Sequence, residues 1–142
     1  MARVKAFGIC LYIVKNDSCK ILLCKAREGN KWGFLKGCQI GNETSKGTAQ
    51  REFYEECGIF VQTKFFEKYY EQENKVKDIG IYLANGKNIF NLEQYFENDR
   101  LKQKYHTFEN EDVKFFDIKD LPKIKSKQKK IIKKVVENLG HF

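Results

Sequence analysis

The chain has 142 residues, 42% of them apolar, and a single proline, Pro122, which fits one globular domain over 1–142 and excludes a disordered or proline-rich chain. Its 27 lysines and arginines against 19 acidic residues leave a net charge of +8, so its partners are expected to be anions such as nucleotides, polyphosphates or RNA. The odd set of Cys10, Cys19, Cys24, Cys38 and Cys57 has no CxxC pair and no metal spacing with His106 or His141, which argues against a disulfide framework or zinc site and for a reducing cytoplasm.

The opening basic residues and the apolar run after them mimic a leader. No small-residue cleavage pattern follows, and the run is far shorter than a membrane span, so residues 4–14 read as a first strand and no membrane contact is expected. Lys15-Asn16-Asp17-Ser18 is a turn and 20–24 a second strand. A short apolar run, 32–35, ends at Lys36-Gly37. Thr44 or Ser45 caps a helix over about 45–57, with Gly58 as its C-terminal stop. Gly47 weakens that helix by about 1 kcal/mol relative to alanine. Residues 59–71 and 76–83 read as strands, Asn85-Gly86 as a tight turn, 92–98 as a short helix and 113–116 as a brief strand. Ile131, Ile132, Val135, Val136 and Leu139 form one stripe of a closing helix over about 126–139. Strands mixed with two helices predict an α+β fold with helices packed on a sheet.

The informative stretch is 37–59. Glu52, Glu55 and Glu56 stand at i, i+3 and i+4, on one face of the predicted helix, where three like charges repel. That cost becomes useful when a hard divalent cation sits among them, because Mg²⁺ prefers oxygen ligands. Arg51 offsets part of the repulsion, and Gly37 and Gly41 in the preceding loop allow a carbonyl to approach an ion or phosphate closely.

Gly37, five residues, Glu43, seven residues, Arg51-Glu52, Phe53, one residue, Glu55-Glu56, one residue, Gly58-Ile59: this resembles the signature box of Nudix hydrolases. Phe53 stands where an aliphatic residue is usual and is expected to face the core. Upstream, Trp32-Gly33-Phe34-Leu35-Lys36-Gly37 is similar to the family's WxFPKG lead-in, with Leu35 in place of proline.

The resemblance implies a Nudix α/β/α sandwich with a mixed central sheet. The implied enzyme is a pyrophosphohydrolase acting on phosphoric anhydrides with Mg²⁺, or Mn²⁺ as substitute. Glu52, Glu55, Glu56 and Glu109 are its candidate catalytic and metal-binding residues, with the Gly37 carbonyl as a further ligand. The general base is left open among Glu52, Glu56 and Glu109. Glu43, Arg51 and Gly58 are expected to organise the loop–helix junction.

Lys25, Arg27, Lys36, Trp32 and Tyr82 are candidate substrate contacts, with solvation of the cations and packing of the rings as the alternatives. The expected substrate is a nucleoside or dinucleoside polyphosphate such as diadenosine tetraphosphate. The alternatives are RNA 5′ pyrophosphate removal aided by the basic tract from Lys123 to Lys134, housecleaning of damaged nucleoside triphosphates, and a nucleotide sensor without catalysis. No DNA partner is expected.

Overall fold

The computed structural model describes residues 4–106 and 110–140. Its strands are β1 (Val4–Lys15), β2 (Ser18–Ala26), β3 (Trp32–Gly33), β4 (Leu35–Cys38), β5 (Phe66–Gln72), β6 (Lys77–Asn85), β7 (Phe96–Glu97), β8 (Arg100–Leu101) and β9 (Asn110–Asp117). The helices are α1 (Ser45–Cys57) and α2 (Lys129–Leu139).

The strands join in one mixed sheet of order β5-β6-β1-β2-β9-β8-β7. β1 runs parallel to β6 and antiparallel to β2. It has two partners on one side: Ala6–Ile9 pairs with β4, and Tyr12–Lys15 pairs with β2. Between those stretches the sheet opens, and β3 crosses there to pair with Cys24 and Lys25 of β2.

Alternation along the strands builds two cores. Phe7, Ile9 and Leu11 of β1 face α1 with Leu22, Leu35 and Phe53. Cys10 and Tyr12 face the other way, where Ile21, Leu23, Ile79 and Ile81 pack with Ile131 and Val135 of α2. The result is the expected α/β/α layering. Phe53 is fully buried, so Phe53→Ala is expected to destabilise the chain by about 3–5 kcal/mol in chemical denaturation.

α1 begins at Thr44, whose hydroxyl accepts the Gly47 N–H at 3.0 Å. It ends at Gly58, at φ 78°, whose N–H returns to the Tyr54 carbonyl. Both ends match the sequence reading.

Three expectations change. Residues 92–98 are not a helix: Leu92–Tyr95 forms one 3₁₀ turn, and a β7–β8 hairpin follows. Its turn is Asn98-Asp99, both at positive φ, the same dipeptide and conformation as Asn16-Asp17 between β1 and β2. The strand expected from residue 59 starts only at Phe66, because Ile59 and Val61 are buried in the α1-side core and Thr63–Phe65 forms a 3₁₀ turn. Asn85-Gly86 is no hairpin turn: the Asn85 side chain accepts the Lys87 N–H and caps the 3₁₀ turn Gly86–Asn88.

The five cysteines are free thiols, four buried and Cys38 exposed. Among the described residues no helix is long and apolar enough to cross a membrane.

Candidate active site

The site forms where β4 runs into the loop before α1. Helical spacing puts the box acids on α1, and packing then separates their environments. The Glu52 side chain is 16% exposed and that of Glu55 54%, so Glu52 turns inward and Glu55 outward. Glu56 is half-buried, with its Oε2 shielded from solvent.

Gly37 explains the inward position. A Cβ built on it would lie 1.6 Å from Glu52 Oε2, so the carboxylate occupies the space a side chain would need. Burial raises the Glu52 carboxyl above its ordinary value and Glu55 adds repulsion, while Arg51 pulls the other way.

Arg51 is the hub of the junction. Its Nε and Nη2 donate to the Glu43 carboxylate at 2.6 and 3.0 Å, and Nη2 also donates to the Cys38 carbonyl at 3.0 Å. Its Nη1 reaches Glu52 at 3.2 Å and Glu55 at 3.0 Å. One guanidinium thereby ties the loop after β4 to the face of α1, using its fixed fork of donors.

Glu43 also accepts the Ile40 N–H and the Thr48 hydroxyl. Arg51, and then the Ile40 N–H, hold its carboxyl down to about 2. A folded pKa below the ordinary 4.5 contributes stability above that value and loses it as pH falls toward 2. Wild-type melting temperature is therefore expected to exceed that of Glu43→Gln at neutral pH, with the gap closing between about pH 4.5 and 2. A gap of constant size down to pH 2 would contradict this.

The residue before Gly37 on β4 points the opposite way. Lys36 lies opposite Gly8 of β1, and a Cβ on Gly8 would meet the Lys36 Cβ at 2.5 Å, so the lysine stem passes over the glycine on the α2 side. Burial pushes the Lys36 ammonium below its usual value, Lys77 and Lys125 push it the same way, and Glu56 pulls back. The charges of Lys77 and Lys125 thus act on Lys36, whose stem lies on the face of β4 away from Glu52. The sequence reading missed Lys77 as a site residue. Strand alternation placing it with Ile79 and Ile81 was the available signal, usable only once β6 is known to lie beside β1.

The other candidates have diverse positions. Lys25 is half-buried on β2, opposite Trp32 and Asp112, and Arg27 is exposed just beyond the strand. The Trp32 ring meets Phe116 edge-on at 4.6 Å, and its backbone bonds to Lys123 and Lys125. Tyr82 is 8% exposed, stacks on Phe66 at 4.8 Å and shares a 2.6 Å hydrogen bond with Ser45 at the start of α1. Both rings hold packing positions. Glu109 lies outside the described residues.

Among the described residues no three acidic, cysteine or histidine side chains converge on one metal-binding point. The Arg51 guanidinium stands among Glu43, Glu52 and Glu55 instead. The donor set still fits a hard cation: carboxylate oxygens on one face of α1, with Glu52 cradled against the bare Cα of Gly37.

The NUDIX domain model matches residues 3–137. The chain belongs to the Nudix family.

No curated protein matches it. Solved structures agree on the Nudix fold. A C. elegans Ap4A hydrolase binary complex is 22% identical with a TM-score of 0.67, the match covering 98% of this chain and 99% of that one. The NUDIX domain of Shewanella oneidensis NrtR, complexed with ADP ribose, is 15% identical with a TM-score of 0.69, covering 98% and 90%. A NUDIX hydrolase from Nitrosomonas europaea is 19% identical with a TM-score of 0.70, covering 99% and 74%. This Nudix chain therefore shares its fold with proteins of which the first two are close to its own length and the third is longer.

Proposed function

We propose that this Nudix hydrolase cleaves a pyrophosphate bond in a nucleoside polyphosphate, with a dinucleoside polyphosphate such as diadenosine tetraphosphate as the preferred substrate. The observation that carries the reading is the division across β4, with the Glu52 carboxylate set against Gly37 on the α1 side and the Lys36 stem over Gly8 on the other, where the charges of Lys77 and Lys125 also act on it. A polyphosphate needs both, because carboxylates alone repel it. The likeness to an Ap4A hydrolase over nearly the whole of both chains supports the choice of substrate.

Glu52, Glu55, Glu56, Glu109 and the Gly37 carbonyl would hold Mg²⁺ or Mn²⁺. When bound, the ion neutralises charge on the leaving phosphate and acidifies a water. The chain's own residues do the rest. Arg51 and Glu43 fix the loop–helix junction, Lys36 with Lys77 and Lys125 attract and orient the phosphate chain, and Glu52 or Glu56 accepts the proton of the attacking water. Burial raises the Glu52 carboxyl, which favours it as a proton acceptor.

A second reading is removal of pyrophosphate from RNA 5′ ends, favoured by Lys129, Lys130, Lys133 and Lys134, all exposed on α2. Incubation of the protein with dinucleoside polyphosphates, nucleoside triphosphates and 5′-triphosphorylated RNA, with Mg²⁺ or Mn²⁺ and products resolved by mass, decides between them. Turnover of dinucleoside polyphosphates above the others is expected. Turnover of RNA alone, steeply salt-dependent and weakened by charge reversal at Lys129 and Lys130, would transfer the assignment to RNA. Inertness toward the whole panel would revive the sensor reading.

A further inference from the structure

The chain changes partner strand at one residue. β3 pairs with β2 and β4 pairs with β1, and Phe34 between them is buried but belongs to neither ladder. A backbone N–H buried outside a ladder needs an acceptor from elsewhere. Gln128, itself 3% exposed at the start of α2, supplies it: its Oε1 accepts the Phe34 N–H at 2.8 Å. The neighbouring glycine makes this reach possible. A Cβ on Gly33 would lie 2.7 Å from both Oε1 and Nε2 of Gln128, so the amide fills the space a side chain would need.

The segment before α2 is strapped along β3. The Trp32 N–H donates to the Lys123 carbonyl at 2.8 Å, the Lys125 N–H to the Trp32 carbonyl at 3.0 Å and the Gln128 N–H to the Lys125 carbonyl at 2.9 Å. Lys36 and Gly37 follow the pinned corner by two and three residues. A proline at position 35 would fix its own φ and hold Phe34 extended, and Leu35 does neither. The Gln128 amide provides that restraint from outside the strand.

We propose that Gln128 is a positioning residue of the active site: by pinning the Phe34 corner it fixes Lys36 and Gly37, which face phosphate and cation in the proposed hydrolysis. The inference rests on that reading of the site. Because the bond falls where the chain leaves β2 for β1, its loss acts first on β4. A shift of β4 moves the Gly37 Cα against which the Glu52 carboxylate lies. The strap that carries Gln128 also carries Lys125, whose charge acts on Lys36.

Two readouts on the full chain test this. The first is deuterium uptake by residues 32–38, which needs no activity. Gln128→Leu removes the acceptor, and Gly33→Ala displaces the amide without altering Gln128. Each is expected to speed uptake there at least about fivefold, with the β5–β6 hairpin unchanged. Gln128→Glu keeps an acceptor of the same reach at the N-cap of α2, where negative charge is favoured, and is expected to exchange as the wild type does. The second readout is hydrolysis of whichever polyphosphate the wild type cleaves. Gln128→Leu and Gly33→Ala are expected to lower kcat about 10- to 100-fold with KM within about twofold, and Gln128→Glu to restore kcat. Val135→Ala, in the core under α2, is the control for a general loss of stability and is expected to keep kcat within about twofold. Wild-type uptake at 32–38 in both Gln128→Leu and Gly33→Ala overturns the proposal. So does a loss of kcat in those variants no larger than in Val135→Ala. A wild type inert toward every polyphosphate removes the hydrolase reading instead, and uptake alone then decides whether Gln128 holds the corner.

Discussion

Glu56→Gln is expected to lower kcat by roughly 10³-fold while leaving the melting temperature within about 2 °C of wild type. The substitution keeps the volume of the side chain and removes only its charge. Glu56 is half-buried, close enough to Lys36 and Cys24 for its charge to act on both. Its charge therefore reaches from the acidic face of α1 toward Lys36, where the proposed cation and polyphosphate would meet. Mg²⁺ or Mn²⁺ titration by calorimetry provides a second readout, and the variant is expected to bind the ion at least about tenfold more weakly. Full activity with unchanged metal affinity would sink the assignment of Glu56 to the metal site.

The second large effect is expected at a residue with no side chain. Gly37→Ala places a methyl group 1.6 Å from where Glu52 Oε2 now lies, so the carboxylate has to swing away or the strand has to shift. Misplacement on the scale of an ångström at a reacting centre costs about 10²-fold in rate, and that loss is expected in kcat. Gly41→Ala is the control. Gly41 sits at φ 54°, and nothing lies within 4 Å of a Cβ placed there. It is expected to lose about 1 kcal/mol through backbone strain, with kcat close to wild type. Equal losses of activity at the two glycines would mean that loop conformation, not the room left for Glu52, sets the rate.

These two glycines show what local sequence conveys. The sequence reads both as one loop and both suggest close backbone approach, but Gly37 lies on β4 and only Gly41 in the loop. Only the structure separates them, one needed for the space above its Cα and the other for its left-handed backbone. The two Asn-Asp turns teach the converse. Asn98-Asp99 carries the same signal as Asn16-Asp17, but β7 and β8 are two residues each, too short for an alternating pattern to show. The apolar residues just before them then read as a helix. Tyr82 and Trp32 illustrate a further limit. Aromatic rings suit a base pocket or a core equally well, and only the neighbours, Phe66 and Ser45 for one and Phe116 for the other, settle where these two pack.

By itself the sequence determined the family, the box helix with a cap at Thr44 or Ser45 and a stop at Gly58, and the set of acids that the helix presents. Those features depend on spacings of a few residues, and helix geometry converts such spacings directly into a common face. Tertiary structure alone decided that Glu52 turns inward and Glu55 outward, that the charges of Lys77 and Lys125 act on Lys36, and that Gln128 meets the Phe34 corner. Each of these joins residues from different elements. Which of them become neighbours depends on strand order, register and helix packing, which no short window of sequence encodes.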